Sequence, residues 1–216
     1  MKRNYFLFGG LIVFATLVAT AIVFPSLPNT VPVHWNIHDQ PDRYESCWLG
    51  TLIMPGMMLA IMLLMAVLPW LSPKRFEVNG EQPPVYLQIM IIVLVFFAVV
   101  QYLMVAEALG RHVAMAQAVT AAICALVAGM GTVLARVPRN FYIGVRTPWT
   151  LASTNVWQAT HRFAAKAFVI AGVVGVALTL LVHAVWLALA VMMVGVIAPA
   201  VYSLVYYKRL ERHGEV

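Results

Sequence analysis

Long apolar runs dominate the pattern of hydrophobic and polar positions along the chain. They cover residues 5–24, 48–71, 85–109, 113–135 and 163–206. About 20 apolar residues in a helix cross the hydrocarbon of a bilayer, where each span must satisfy its own backbone hydrogen bonds. The last run would make a helix of about 66 Å, about twice the hydrocarbon thickness, so it must fold back. A turn at residues 181–185 divides it into spans 163–182 and 184–206. The pattern predicts an all-α, polytopic membrane protein, a bundle of six transmembrane helices.

Composition agrees with this class and fixes an expected orientation. The chain is 62% hydrophobic and 10% charged, whereas a soluble domain has about half apolar and about a quarter charged residues. All of the 14 lysines and arginines except Arg43 and Arg111 fall on one side of the predicted bundle. By the positive-inside rule both termini are cytoplasmic. The net charge of +6 therefore reflects topology, and direct contact with nucleic acid is not expected.

Cys47 and Cys124 differ in depth by about half a bilayer, which argues against a disulfide.

The spans divide into two halves, each with one polar block. Residues 1–109 hold the first three spans and an outer loop at 25–47; residues 110–216 hold the last three and an inner segment at 136–162. Small residues recur at intervals of four in the fourth and fifth spans, where helix backbones can approach closely. The members of these rows are Ala121, Ala125 and Gly129, and Ala167, Ala171, Gly175 and Thr179. The rows indicate packing within the bundle, or alternatively a homodimer.

The outer loop is predicted to be structured. Residues 30–35 alternate apolar and polar side chains, which favours a short extended segment with His34 on one face. Asn36, Asp39 and the Pro41-Asp42 pair supply turn chemistry. The loop is the candidate recognition surface. Its recognition residues are His34, Trp35, Asn36, Asp42 and Arg43.

A second hypothesis for the same face is a metal site. Zinc takes about four nitrogen, oxygen or sulfur ligands, and weak candidates are His34, His38, Glu107 and His112. Such a site would suit a membrane-embedded, metal-dependent enzyme or transporter. The alternative is that an outer surface simply collects polar residues, with Glu107 paired to Arg111 one helical turn away. No nucleophile–base spacing or phosphate loop is present, so no catalytic residue and no cofactor other than a divalent metal is predicted.

The inner segment is expected to be amphipathic. Gly144 permits a turn, Pro148 should break any helix, and Thr150 or Ser153 could cap a helix that begins near residue 154. The segment combines aromatic side chains with arginines, which fits an element lying among lipid headgroups. These residues are Arg146, Trp149, Trp157, Arg162 and Phe163. His161 and Arg162 would then meet anionic lipid or a cytoplasmic protein.

At these residues the chain resembles the SdpI family. Leu27-Pro28, residues 31–36 and residues 40–44 are similar to the signature of the small membrane domain that opens these proteins. The signature of their C-terminal half is matched by Asn140, Gly144, Arg146, Thr147, Pro148, Trp149, Trp157, His161 and Arg162.

The resemblance implies a protein of the bacterial cytoplasmic membrane that gives immunity to a secreted antimicrobial peptide toxin. It also implies a link to a cytoplasmic repressor. Asp39 departs from the pattern, which has Gly at this turn, so the shape of the outer turn is open. Family members also occur without a toxin, and immunity does not follow from membership alone.

Overall fold

A computed structural model describes residues 2–36, 38–71 and 85–214 of the chain. Two of the basic residues predicted to lie on the inner side, Lys74 and Arg75, are outside the described residues. The elements in chain order are α1 (Lys2–Val23), a 3-10 turn (Phe24–Ser26), β1 (Thr30–Trp35), β2 (Pro41–Ser46), α2 (Cys47–Leu71), α3 (Val85–Ala108), α4 (Met115–Leu134), α5 (Pro148–Ala152), α6 (Thr154–Leu181) and α7 (Val185–Arg212).

The prediction of a six-helix membrane protein is confirmed. Six described helices, all but the short α5, are long and apolar enough to cross a bilayer. The last apolar run does fold back, because α6 ends at Leu181 and α7 begins at Val185. Many large apolar side chains on these helices are exposed, for example Phe14, Leu63 and Val194. In a soluble protein such surface would aggregate, whereas in lipid it is the expected outer surface.

Glycines let α6 pack closely against α4 and α7. A Cβ placed on Gly172 would lie 2.5 Å from the carbonyl oxygen of Cys124 in α4. A Cβ placed on Gly195 of α7 would lie 2.3 Å from the Cβ of Ala171 in α6. No side chain fits at either position, so these backbones approach as closely as small residues allow. The predicted row of small residues in α6 thus packs inside the bundle, whereas in the row predicted for α4 Ala125 is exposed. The two cysteines are free and buried.

In the first half, one buried amide joins three helices. The Nε2 of Gln101 in α3 donates to Thr20 Oγ1 in α1 at 3.1 Å and to the carbonyl oxygen of Thr51 in α2 at 3.0 Å. Gln101 is only 2% exposed. The Gln101 side chain thus holds α1, α2 and α3 together.

The two halves meet where α3 packs on α4. A buried cluster there combines Val85 and Ile89 of α3 with Val133 of α4 and Ala164 of α6. The connections divide between two ends of the bundle. We call the end with β1, β2 and the α3–α4 and α6–α7 turns the hairpin end, and the end with residues 135–153 the motif end.

Candidate functional site

At the motif end, Asn140 organises the segment that follows α4. Its Oδ1 accepts hydrogen bonds from the backbone N–H groups of Tyr142 (2.7 Å) and Ile143 (2.8 Å). Its Nδ2 donates to the carbonyl oxygens of Pro138 (2.8 Å) and Ile143 (3.1 Å). Asn140 is 1% exposed, and these four bonds use the full donor and acceptor capacity of its amide. The side chain therefore fixes a tight, irregular turn.

His161 closes this turn against α6. Its Nε2 accepts the backbone N–H of Val145 at 3.1 Å, so the neutral ring carries its proton on Nδ1. That nitrogen donates to the carbonyl oxygen of Trp157 at 2.8 Å, and the His161 and Trp157 rings stack with centroids 4.1 Å apart. Gly144 lies directly on the imidazole: its φ is +114°, and a Cβ there would stand 2.3 Å from Nε2. Only glycine fits this conformation and this contact.

A capping box starts the short helix α5. Thr147 Oγ1 accepts the N–H of Thr150 at 3.2 Å, and Thr150 Oγ1 accepts the N–H of Thr147 at 2.9 Å. Pro148 begins the helix at its first position, where its missing N–H costs nothing. No described helix runs through Pro148, as expected, but the short helix that begins at Pro148 was not predicted. The cap is Thr147, and Ser153, which precedes α6, makes no side-chain capping bond. Thr147 Oγ1 also lies 2.9 Å from Ser203 Oγ, which connects the turn to α7.

Some residues of the C-terminal motif are buried at the motif end and others are exposed. Trp157 is 1% exposed and donates from Nε1 to the carbonyl oxygen of Val137 at 2.8 Å. His161 is 0% exposed. The expectation that His161 meets lipid or a cytoplasmic protein is wrong, because its ring is a core group with both nitrogens bonded. Arg146 and Arg162 are exposed, and Arg146 donates to the carbonyl oxygen of Phe141.

At the hairpin end, β1 and β2 form a two-stranded antiparallel hairpin. The extended segment at residues 30–35 was predicted; its partner strand was not. The turn is held by Asn36 Oδ1, which accepts the N–H groups of His38 (2.9 Å) and Gln40 (3.1 Å). On the hairpin surface His34 Nδ1 lies 2.5 Å from Asp42 Oδ1, and Arg43 lies 3.1 Å from Glu45. Trp35 lies at the end of β1, paired with Pro41.

Asp39 has a role that the sequence reasoning missed. It adopts φ +61°, the left-handed conformation expected of a glycine at this position. The shape of the turn, which the aspartate put in question, is therefore that of the glycine turn. Its Oδ1 accepts the backbone N–H of Ala116 at 2.7 Å, in the first turn of α4. The N-cap position of that helix, Ala114, has no side chain able to accept. No Ser, Thr, Asp or Asn stands at the start of this helix. That absence was the available sign in the sequence that a residue far along the chain accepts the first N–H groups of the helix.

The four weak metal candidates are not gathered. Among the described residues, no three His, Cys, Asp or Glu side chains could hold one ion. Glu107 Oε2 instead accepts the N–H of Val113 at 2.6 Å, at the turn between α3 and α4. In the part of the chain that the structure describes, Glu107 forms no ion pair with Arg111, so that pairing is wrong. His112 has φ +46° in the same turn, a conformation unusual for histidine, and His38 is exposed.

A cavity of about 840 Å³ opens at the hairpin end. Its walls come from the hairpin, from α2 and α3, and from the first turns of α4 and α7. Apolar side chains form most of its lining, including Trp35, Met104, Val119 and Trp186. Cavities of 300 to 1,000 Å³, mostly apolar with a few polar groups, are the usual form of a ligand site.

Comparison with known proteins finds one family model in each half of the chain. Residues 136–203 match the SdpI/YfhL protein family, and residues 11–59 match a domain of unknown function (DUF1648). The chain is 24% identical over 217 residues to the Immunity protein SdpI of Bacillus subtilis (strain 168), covering 97% of this chain and 98% of that protein. No solved structure matches the chain significantly. The resemblance found in the sequence motifs is confirmed.

Proposed function

We propose that this multi-pass membrane protein, which matches the SdpI/YfhL protein family over residues 136–203 and is similar to an immunity protein over 97% of its length, protects its host cell against an extracellular antimicrobial peptide toxin. The observation that supports this most directly is the match over almost the whole length of a relative that is named an immunity protein. Both matched regions contribute: one contains the hairpin, and the other contains the motif end.

The two ends have different parts in this proposal. The hairpin end faces the outside of the bacterial cytoplasmic membrane and meets the toxin, with His34, Trp35, Asn36, Asp42 and Arg43 as the recognition residues. The motif end faces the cytoplasm, as the placement of lysines and arginines favours. Two exposed arginines of the matched motif, Arg146 and Arg162, are available to hold a cytoplasmic repressor. The buried motif residues keep that surface in shape.

Protection is tested by expressing the chain in a bacterium that is sensitive to secreted peptide toxins. Wild-type protein should raise survival against at least one peptide of a panel, and His34→Ala with Asp42→Ala should lower it. Lys208→Ala is the control, since Lys208 pairs with Glu211 near the end of α7, away from the hairpin. Equal membrane levels of each variant must be verified by immunoblot. A wild-type protein that protects against no peptide would remove the proposal.

The orientation has its own test. Single cysteines introduced at exposed His38 and exposed Arg162 are treated with a membrane-impermeant thiol reagent in intact cells, and again in lysed cells. Position 38 should react in both samples and position 162 only after lysis. The native cysteines are buried, so unmodified protein supplies the background. Reaction of both positions in intact cells would refute the assignment of inside and outside.

A further inference from the structure

The cavity at the hairpin end is deep enough to hold more than a solvent molecule, and its chemistry selects an occupant. We propose that it binds the apolar face of a cationic amphipathic peptide. This inference rests on the proposed function and specifies the site and the ligand class. Three features carry it: the apolar lining, the polar groups at the entrance, and the charge of the surrounding surface.

The lining is apolar and adaptable. Met54, Met104 and Met115 enter it from three different helices, and Val100 and Val119 lie between them. Methionine is unbranched and polarizable, so a methionine-rich wall repacks around aliphatic and aromatic side chains of different shapes. Two tryptophans, Trp35 and Trp186, also line the cavity. Such a wall suits the Leu, Phe or Trp side chains of a peptide.

The entrance offers hydrogen bonds in addition. His34 and His183 both line the cavity, and each uses Nδ1 within the protein, toward Asp42 and toward Gln117 respectively. No other described side chain hydrogen-bonds either Nε2 atom. The two free ring nitrogens can therefore contact the polar groups of a ligand, such as the backbone of a peptide, that continues out of the cavity.

The charge around the entrance is negative. Residues 27–46 and 107–116 carry four carboxylates and two guanidinium groups, those of Arg43 and Arg111. Most of the basic residues lie in the remaining segments. This surface complements a cationic ligand and repels an anionic one, so an anionic phospholipid headgroup is disfavoured there. A cationic amphipathic peptide satisfies both the apolar lining and the negative rim.

Occupancy is measured on the full chain in nanodiscs, by thiol labelling at two positions. Val119→Cys places a thiol on the cavity wall; Val194→Cys places one on an exposed face of α7 that lies outside the cavity. The probe is a synthetic amphipathic peptide of lysine, leucine and tryptophan. At saturation it should slow labelling at position 119 at least 5-fold and change labelling at position 194 less than 2-fold. Equal effects at both positions, or no effect at 119, would overturn the proposal. So would slow labelling at 119 without peptide that becomes fast in short-chain detergent, because a lipid tail would then occupy the site.

A second experiment separates this proposal from the proposed function. The double variant Val100→Trp with Val119→Trp fills the cavity from α3 and α4, and Val95→Trp with Val194→Trp makes the same change on exposed surface. Only the first should lose protection in the killing assay, by at least 10-fold in survival. If the first variant is present in the membrane and still protects, the cavity is not the site although immunity stands. If wild type does not protect, immunity fails, and the labelling result alone then decides whether the cavity binds a peptide.

Discussion

Replacing Gly144 by alanine should unfold the motif end more severely than any other glycine-to-alanine change in a described turn. Gly144 has φ +114°, and a new Cβ would stand 2.3 Å from His161 Nε2. The imidazole cannot retreat without losing its bond to the Val145 N–H, because it is stacked on Trp157 and 0% exposed. Two costs are therefore expected at this position, one from the backbone and one from the contact.

The size of each cost follows from the geometry. A non-glycine residue held in an unfavourable φ/ψ region costs about 1–3 kcal/mol. Forcing an extra carbon into a packed core costs about 1–3 kcal/mol more. Gly144→Ala should thus lower the free energy of unfolding by about 2–6 kcal/mol. Gly110→Ala is the matched control, because Gly110 has φ +79° but nothing within 4 Å of its Cβ position. It should show the backbone cost alone.

The measurement uses the native cysteines as reporters of unfolding. Cys47 and Cys124 are both buried, so a thiol-reactive dye labels them only when the bundle opens. Purified variants in the same detergent are heated or titrated with denaturant, and the midpoints are compared. Gly10→Ala, in the middle of α1 with open space around its Cβ, should leave the midpoint unchanged or raise it. If Gly144→Ala were no less stable than Gly110→Ala, the role assigned to the His161 contact would be wrong.

The same assay tests three further predictions. Asp39→Ala should destabilise the protein by about 1–2 kcal/mol, because the N-terminus of α4 loses its cap. Asp39→Asn should have the smallest effect of the three variants, and Asp39→Gly should have an intermediate one, because glycine adopts the positive φ without strain. Glu107→Ala should lower the free energy of unfolding by about 1–3 kcal/mol, because it leaves a backbone N–H unpaired, whereas Arg111→Ala should change it by no more than about 0.5 kcal/mol. Equal effects would indicate that Glu107 and Arg111 do form an ion pair. Gly195→Ala should lower the midpoint clearly, and Gly56→Ala, with open space around it, should not; the reverse order would contradict the close packing of α6 and α7.

The fold was predictable because the bilayer imposes it. Helix number, span lengths and the turn between α6 and α7 all follow from the length of apolar runs relative to hydrocarbon thickness. Hydrocarbon thickness says nothing about the pairing of β2 with β1. Residues 41–46 are mostly polar and mostly exposed, so no hydrophobic alternation marks them as a strand. Turn chemistry was predicted at Asn36, but the bonds by which its side chain holds the turn and brings β2 beside β1 appear only in the three-dimensional structure.

The sequence motifs did not predict the surroundings of their own residues. The motifs include Asn140, Trp157 and His161, and the side chains of Trp157 and His161 were expected at a membrane surface, whereas both are buried. A tryptophan near arginines gives the same sequence pattern whether the tryptophan lies among lipid headgroups or in a protein core. The difference is made by long-range partners: the Val137 carbonyl for Trp157, 20 residues away, and the Val145 N–H for His161, 16 residues away. Composition cannot encode such partners.

Asp39 shows how a departure from a family pattern can have a structural reason. A glycine at this turn would adopt the left-handed conformation without strain, but it could not reach α4. Aspartate accepts strain at φ +61° and in exchange supplies the acceptor that the start of α4 lacks. The bond connects the hairpin of the first half to a helix of the second half, 77 residues away, beside the cavity. A relative with glycine at this position must therefore cap α4 by another group, or hold its hairpin less firmly over the same cavity.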